Sequence, residues 1–449
     1  MTTDPLRWAW AAGAVLLWLV LTVGFLRKSP DKVTMVSAPG PVSGAGEWLI
    51  AIASQTGFAE ELAKVTGKLI GAAVPFRVIA LGDLKPADLR AAERVLFIVS
   101  TTGEGDPPDS ASGFVRKVMA RKADLQGLCY GLLALGDRSY RDFCAFGRAL
   151  DDWLMQSGAE PLFDRVELDN GDAGAVRIWQ DRVATATGAG AAPDWVRPKL
   201  ERWRLVDRSE LNPGSPGGGA FVLAFRPEDG LLDWVAGDVA EIGVPVTDGP
   251  SPSLRQYSIS SIPSDGQLEL LVRRIVRPDG TPGVASGWLT GALKVGDDVA
   301  MRVRENRNFH GPAPATPLIL VGNGTGIAGL RAHIKARTGE AGTWLLFGER
   351  TREHDAFFDG ELQTWLASGL LTRLDRAFSR DAGDGRYVQT LVAEQAPLIA
   401  DWVARGAAIY VCGSLQGMAP GVHAALEAAL GASTLEDLAG TGRYRRDVY

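Results

Sequence analysis

What most constrains the fold is a plan met three times early in the chain: a short apolar run, a glycine-containing loop, then a helix-like stretch. "EWLIAIAS" and "RVLFIVS" end in small hydroxylated residues, and "CYGLLALGD" follows the same plan. Strands alternating with helices predict a doubly wound parallel sheet over residues 47–187. "TPLILVGNGTGIAGLRAHIKAR", "TWLLFGER" and "AAIYVCGS" resume the plan over 315–449, so a second α/β unit is expected there. Between them, over 201–314, short strand-like runs broken by Pro and Gly read as a small antiparallel β-barrel. The expectation is a multidomain α/β protein, with the Gly/Ala/Pro stretch "GAGAAPDWVRPKL" as a linker over 188–200. "NPGSPGGG", residues 212–219, reads as a loop between barrel strands.

Composition narrows the functional classes. A chain of 449 residues accommodates two or three domains, and a formal charge of -6 argues against a nucleic-acid surface. Cys129, Cys144 and Cys412 are far apart without a C-x-x-C, and His310, His333, His354 and His423 form no ligand-spaced cluster with them. Neither a disulfide framework nor a metal site is expected, and free thiols fit a reducing compartment. Between Arg7 and Arg27, 19 residues carry no charge, close to the ~20 needed to cross a bilayer core. The rival reading is a cleaved signal peptide, but the apolar run exceeds an h-region and "RKSPDK" stands where small residues would be needed. A membrane anchor is therefore expected over 1–28 and a flexible tether over 29–46. Arg27, Lys28 and Lys32 on its far side predict a single span with the catalytic bulk on the cytoplasmic side.

In an open parallel sheet, ligands sit beyond the carboxyl ends of the strands, so the loops after the three early runs should converge. "SQTGFAEELA" offers Ser54, Gln55, Thr56 and Gly57 at a helix start, where hydroxyls and free N–H groups suit a phosphate; taken alone, it is also an ordinary N-cap. "STTGEGDPPDSA" brings Thr101, Thr102, Gly103, Glu104 and Gly105, whose glycines permit backbone shapes that a side chain forbids. "LGDRSYRDFCAFG" adds Gly136, Asp137, Tyr140 and Phe143 near the same edge. Together the three loops resemble the flavodoxin-type FMN domain of the NADPH-dependent diflavin reductases, of the sulfite reductase flavoprotein and NADPH-cytochrome reductase type. The resemblance implies that Ser54 to Ala59 hold the FMN phosphate, that Thr101 to Asp106 run beside the flavin's redox edge, and that Tyr140 stacks on the ring. Phe58 stands where relatives usually have a small polar residue, and Thr102 where some have an aromatic.

"RQYSISS" and "GVASGWL" resemble the FAD domain of the ferredoxin-NADP reductase family. That resemblance gives Arg255 to the pyrophosphate, Tyr257 to packing on the ring system and Ser258 to the neighbourhood of the flavin N5. Gly283, Val284, Ala285 and Ser286 go to the pyrophosphate. "VGNGTGIAGLR" has G-x-G-x-x-G at Gly324, Gly326 and Gly329, with Thr325 between, directly after a strand-like run and before a helix. Relatives usually carry Pro where this chain has Asn323 and Gly329. "FSRDAGDGRYVQ" resembles the 2'-phosphate grip of the NADPH-dependent members, through Ser379, Arg380, Tyr387 and Gln389, with Arg386 where a lysine is common. In "YVCGS", Cys412 by itself reads as a buried structural thiol; the family motif places it beside the nicotinamide with Ser258 and Asp447. The chain ends in D-V-aromatic, and by resemblance the ring of Tyr449 covers the FAD face that the nicotinamide must reach.

The resemblance covers nearly everything from Glu47 to Tyr449 and implies electron flow from NADPH through FAD and FMN to a protein acceptor. A membrane anchor points to a membrane haem protein or a ferric-reducing partner, whereas a sulfite-reductase-type acceptor is normally soluble. Only Val239 to Leu254 separate Asp238 from Arg255, so the helical connecting domain of larger members is absent and the flavodoxin unit is expected to be tied to the barrel by its linker alone. Two rivals stay open: a flavin or ferric reductase acting on small acceptors, and a redox-sensing or assembly subunit that binds flavins but turns over poorly.

Overall fold

Three sheets organise the chain, and each forms where the apolar runs dictate. The computed structural model describes residues 46–449 apart from 104, 139–140, 191–197, 246–252 and 340. The expected anchor and nearly all of the tether lie outside the described residues, as does most of the linker. Among the described residues no helix is long and apolar enough to cross a membrane.

The first sheet is entirely parallel, with β1 (Trp48–Ala53), β2 (Phe76–Ala80), β3 (Arg94–Ser100), β4 (Cys129–Gly136), β5 (Glu160–Pro161) and β6 (Val166–Asp169). Its order β2-β1-β3-β4-β5, with β6 also on β4, is the doubly wound arrangement that binds ligands where the order reverses between β1 and β3. β1 is buried along its whole length because helices cover both faces. Ile50 and Leu96 pack with Leu62 and Trp179 on one face, while Leu49 and Phe97 pack with Leu150 and Leu154 on the other. Each such buried aliphatic side chain contributes about 1.5–3 kcal/mol.

The second sheet comprises β7 (Glu201–Glu210), β8 (Ala220–Pro227), β9 (Val239–Val244), β10 (Ser253–Ser258), β11 (Leu268–Arg273) and β12 (Asp298–Arg304), all antiparallel, in the order β10-β9-β12-β7-β8-β11. An Ile259–Leu270 bridge joins its two ends, so the sheet closes into the expected barrel. The third is parallel: β13 (Leu318–Asn323), β14 (Thr343–Glu349), β15 (Arg373–Phe378), β16 (Ala408–Gly413) and β17 (Tyr444–Val448), ordered β15-β14-β13-β16-β17. Its reversal falls between β13 and β16, which aims the loops at Gly324 and Ser414 into one crevice.

Two features go beyond the sequence reading. The flavodoxin-like unit is held by more than its linker. Asp109 forms a two-pronged pair with Arg446, Glu61 pairs with Arg302 at 3.3 Å, and Lys117 pairs with Glu436 at 2.8 Å. "NPGSPGGG" does connect two barrel strands, yet it is no mere spacer: Asn212, buried at 1 % exposure, donates to Asp355 Oδ1 at 2.9 Å and accepts from Ala220 N–H at 2.6 Å. The loop is thereby fastened to the third sheet's unit through a carboxylate that is itself fully buried. Asn212→Ala leaves the Ala220 N–H without its acceptor and takes one donor from Asp355, which keeps Thr351, and should cost about 1–3 kcal/mol of stability, read as a lower denaturation midpoint in urea at unchanged slope.

Candidate functional site

A cavity of about 1150 Å³ opens where the three sheets meet. It exceeds the ~300–1,000 Å³ of ordinary small-molecule pockets, as a site for a dinucleotide and its partner must. Gln55 and Thr56 reach it from the loop after β1; Arg255, Tyr257 and Ser258 from β10; Val284 to Ser286 from the turn that follows the barrel's β11. Gly324 and Thr325 line it from the loop after β13, Ser379, Arg380, Tyr387 and Gln389 from beyond β15, and Asp447 to Tyr449 from the terminus. The sequence reading drew on these separate stretches, and the fold brings them together.

At its centre, Ser258 Oγ donates to Asp447 Oδ2 at 2.8 Å, and Cys412 Sγ lies 3.8 Å from the same oxygen. Asp447 is buried, and burial pushes its carboxyl above the usual carboxylate range against the opposing pull of the Ser258 hydroxyl. Burial and the neighbouring Asp447 likewise push the Cys412 thiol well up, so the sulfur stays protonated and is not set up as a nucleophile. The approach of β16 to the loop after β13 depends on Gly326, because a Cβ there would run into the Cys412 carbonyl. Asn323, where Pro was noted in relatives, accepts from Ser414 N–H at 3.0 Å and pins the two loops to one another.

Tyr449 is held by its backbone and free at its ring. Its N–H donates to Gly413 O at 3.1 Å and its carbonyl accepts from Leu415 N–H at 3.0 Å, while the side chain is 56 % exposed. Its hydroxyl lies 3.4 Å from Thr325 Oγ1 and is also engaged by Ser258.

The phosphate-suited loop is preorganised. Ser54 is buried and its Oγ accepts from Gly57 N–H at 3.0 Å; Ser110 bonds both backbone groups of Ser54. The cap position before helix Phe58–Ile70 is Gly57 itself, at φ +86 and without a side-chain cap, so the ordinary N-cap reading of Ser54 does not describe it. Ala59 is buried under the turn, and Phe58 packs on the sheet's hydrophobic cluster.

Among the described residues, none from the other two loops of the flavodoxin-like unit lines the cavity. Thr102 and Asp106 close the second loop by a backbone bridge, and Thr101 Oγ1 is buried with no hydrogen-bond partner among the described residues. An orphaned hydroxyl beside the β1/β3 switch point is what a bound flavin would satisfy. Gly103 abuts Leu415, and Asp137 lies 3.9 Å from Arg255, so both loops face the other sheets. Glu104 and Tyr140 lie outside the described residues. Phe143 is turned into the core behind Gly136, with the Arg138 guanidinium on its face.

The expected arginine pair is rearranged. Arg386 is held by Asp384 at 2.6 Å and Glu394 at 2.8 Å and does not line the cavity. Arg350, at the end of β14, does line it, and its carbonyl accepts from Arg380 N–H at 2.8 Å. Arg380 and Arg350, joined through their backbones, both line the cavity with Ser379. A charged residue directly after a parallel strand adjacent to β15 was the available signal, and it was passed over. Arg273, paired with buried Glu349, is a further lining cation that no motif had marked.

Comparison with known proteins agrees with this geometry. Residues 50–179 match the Flavodoxin family and residues 320–424 match the Oxidoreductase NAD-binding domain family. Sulfite reductase [NADPH] flavoprotein alpha-components are similar over the whole length. That of Yersinia enterocolitica is 28% identical over 99% of this chain and 95% of its own, and that of Vibrio vulnificus 29% identical over 99% and 94%. That of Klebsiella pneumoniae is 27% identical over 100% and 96%. The first alignment runs to 585 positions, longer than this chain of 449 residues, so these relatives carry a segment that it lacks. Two flavin and nucleotide folds in this order, with a hydroxyl, thiol and carboxylate gathered between them, make the chain a member of the NADPH-dependent diflavin reductases, electron-transfer enzymes that use FAD, FMN and NADPH.

Proposed function

We propose that this chain is a membrane-anchored reductase that takes electrons from NADPH and delivers them through FAD and FMN to a protein acceptor. The observation that carries the reading is the single cavity lined by Arg255 and Ser258 of the barrel, Thr325 and Arg380 of the nucleotide unit, Asp447 and Tyr449 of the terminus, and Thr56 of the flavodoxin-like unit. The division into flavodoxin-like unit, FAD barrel and NADPH unit at 47–187, 201–314 and 315–449 belongs to the same proposal. When bound, the nicotinamide and flavins supply the hydride and single-electron chemistry; the protein positions them and excludes water.

Ser258, Asp447 and Cys412 act as a hydrogen-bonded trio that keeps its protons in place. Burial draws the Asp447 carboxyl toward its protonated form while the Ser258 hydroxyl and the Cys412 thiol hold it in place, so the trio is fixed by hydrogen bonds beside the approach of the nicotinamide. Tyr449 covers that centre until displaced. Arg380, Arg350 and Ser379 grip a 2'-phosphate, with guanidinium groups suited to a dianion.

A protein acceptor is favoured over small acceptors because the similar proteins are named as components of a reductase. The uncharged 19-residue run between Arg7 and Arg27 supports a membrane haem protein as that acceptor, with a sulfite-reductase-like partner as the second reading.

Anaerobic titration of the full chain with NADPH should reduce equal amounts of FAD and FMN, identified chromatographically after release; retention of FAD alone would remove the relay. Tyr449→Ala should lower the preference for NADPH over NADH by up to about tenfold, since ring stacking is worth only about 0.5–1.5 kcal/mol beyond burial. Unchanged preference in steady-state kinetics would count against its role. Expressed from its first residue, the chain should sediment with membranes and be released by detergent but not by salt or carbonate; recovery in the soluble fraction would refute the anchor.

A further inference from the structure

The phosphate-suited loop after β1 is the part of the site least explained by its own unit. Ser54 Oγ is already engaged with Gly57 N–H, the side chain at position 58 is a phenyl ring rather than a donor, and the first turn of helix Phe58–Ile70 carries Glu60 and Glu61. Against this loop lies the end of barrel strand β12. A Cβ on Gly57 would strike the Glu305 carbonyl, and Asn308 Nδ2 donates to Ser54 O at 3.0 Å. Arg304 sits between them at 3 % exposure. Its Nη2 donates to Thr56 Oγ1 at 2.6 Å, its Nη1 to Glu241 Oε1 at 3.0 Å, and its Nε has no hydrogen-bond partner among the described residues.

A buried guanidinium with an unsatisfied N–H is costly unless a further acceptor completes it. Glu241 does not suffice, because its other oxygen is taken by Arg302 at 2.6 Å. A phosphate in the cradle of Ser54 to Ala59 would supply the acceptor, and Arg304 would supply a cation against Glu60, Glu61 being already paired with Arg302.

We infer that Arg304, a barrel residue, is a ligand of the FMN phosphate, so that the FMN site is completed across the boundary between the flavodoxin-like unit and the barrel. The inference rests on the FMN reading of the loop. It makes retention of FMN depend on docking of the two units, and it makes that dependence specific to the phosphate.

The test compares FMN with riboflavin, which lacks the phosphate, binding to the full chain stripped of FMN, with FAD content measured in every sample. Arg304→Gln should weaken FMN roughly tenfold to a hundredfold, the scale of a hydrogen bond to a charged group. Riboflavin affinity and FAD content should stay as in the parent chain. Arg304→Lys should recover part of the loss, and Phe58→Asn, which places a donor in the loop, should recover part of it in the Arg304→Gln background. Unchanged FMN affinity overturns the inference, and so does an equal loss of FMN and riboflavin, which marks Arg304 as structural. A parent chain that binds FAD but neither FMN nor riboflavin would instead overturn the FMN reading itself.

Discussion

Everything at the site depends on the parallel pairing of the last strand. β17 adds to β16 in a register that sets Asp447 opposite Cys412 and Val448 opposite Gly413. Successive side chains of a strand point to opposite faces, so the same five residues reach in different directions. Asp447 meets Ser258 of the barrel, Arg446 meets Asp109 of the flavodoxin-like unit, and Arg445 donates to the Arg307 carbonyl. Chain ends ordinarily fray. This one is held because its backbone continues the sheet, and its loss would undo the central trio, the hold on Tyr449 and one side of the seam together.

The seam itself is an arrangement of charges. Glu241 lies between Arg302 and Arg304, and Arg302 continues to Glu61. Burial pulls Arg304 down from its ordinary value while Glu241 opposes it, so the carboxylate is what keeps the guanidinium charged in a dry position. Such pairs add little net stability over apolar packing, and Glu241 keeps Arg302 if Arg304 is lost. Their effect is therefore on orientation. A flavodoxin-like unit docked elsewhere would leave Arg302 short of Glu61 and Arg304 short of Thr56, and that mismatch disfavours other poses more than the native contacts favour this one.

The sheets were legible because strands buried on both faces must be continuously apolar, and "WLIAIA" and "AIYVCG" admit little else. The turns were legible because glycine marks close backbone approach, as at Gly57 against Glu305 and Gly326 against Cys412. Less was visible where a residue's role depends on what another unit brings to it. No motif marks "RVRENR", yet Arg304 is buried and donates both to Glu241 of the barrel and to Thr56 of the flavodoxin-like unit. Arg386 follows a motif in sequence but finds Asp384 and Glu394 nearer than the cavity. Phe143 was expected near the edge where the cofactor binds, but close packing against Gly136 turns it into the core.

Absence of the connecting segment explains why the seam is built from side chains. β9 and β10 form a hairpin, Val244 opposite Ser253, at the point between Asp238 and Arg255 where larger family members were expected to insert a helical domain. A hairpin there leaves no scaffold to hold the flavodoxin-like unit at a set distance, so orientation falls to direct contacts at the carboxyl ends of its strands. Those ends also carry the loops that would hold the flavin, and Ser54, Thr56 and Asp109 each bond to another unit. Docking and cofactor binding thus use the same short stretches of chain. Any change that frees the unit to meet an acceptor must first break contacts made by the loops around the flavin.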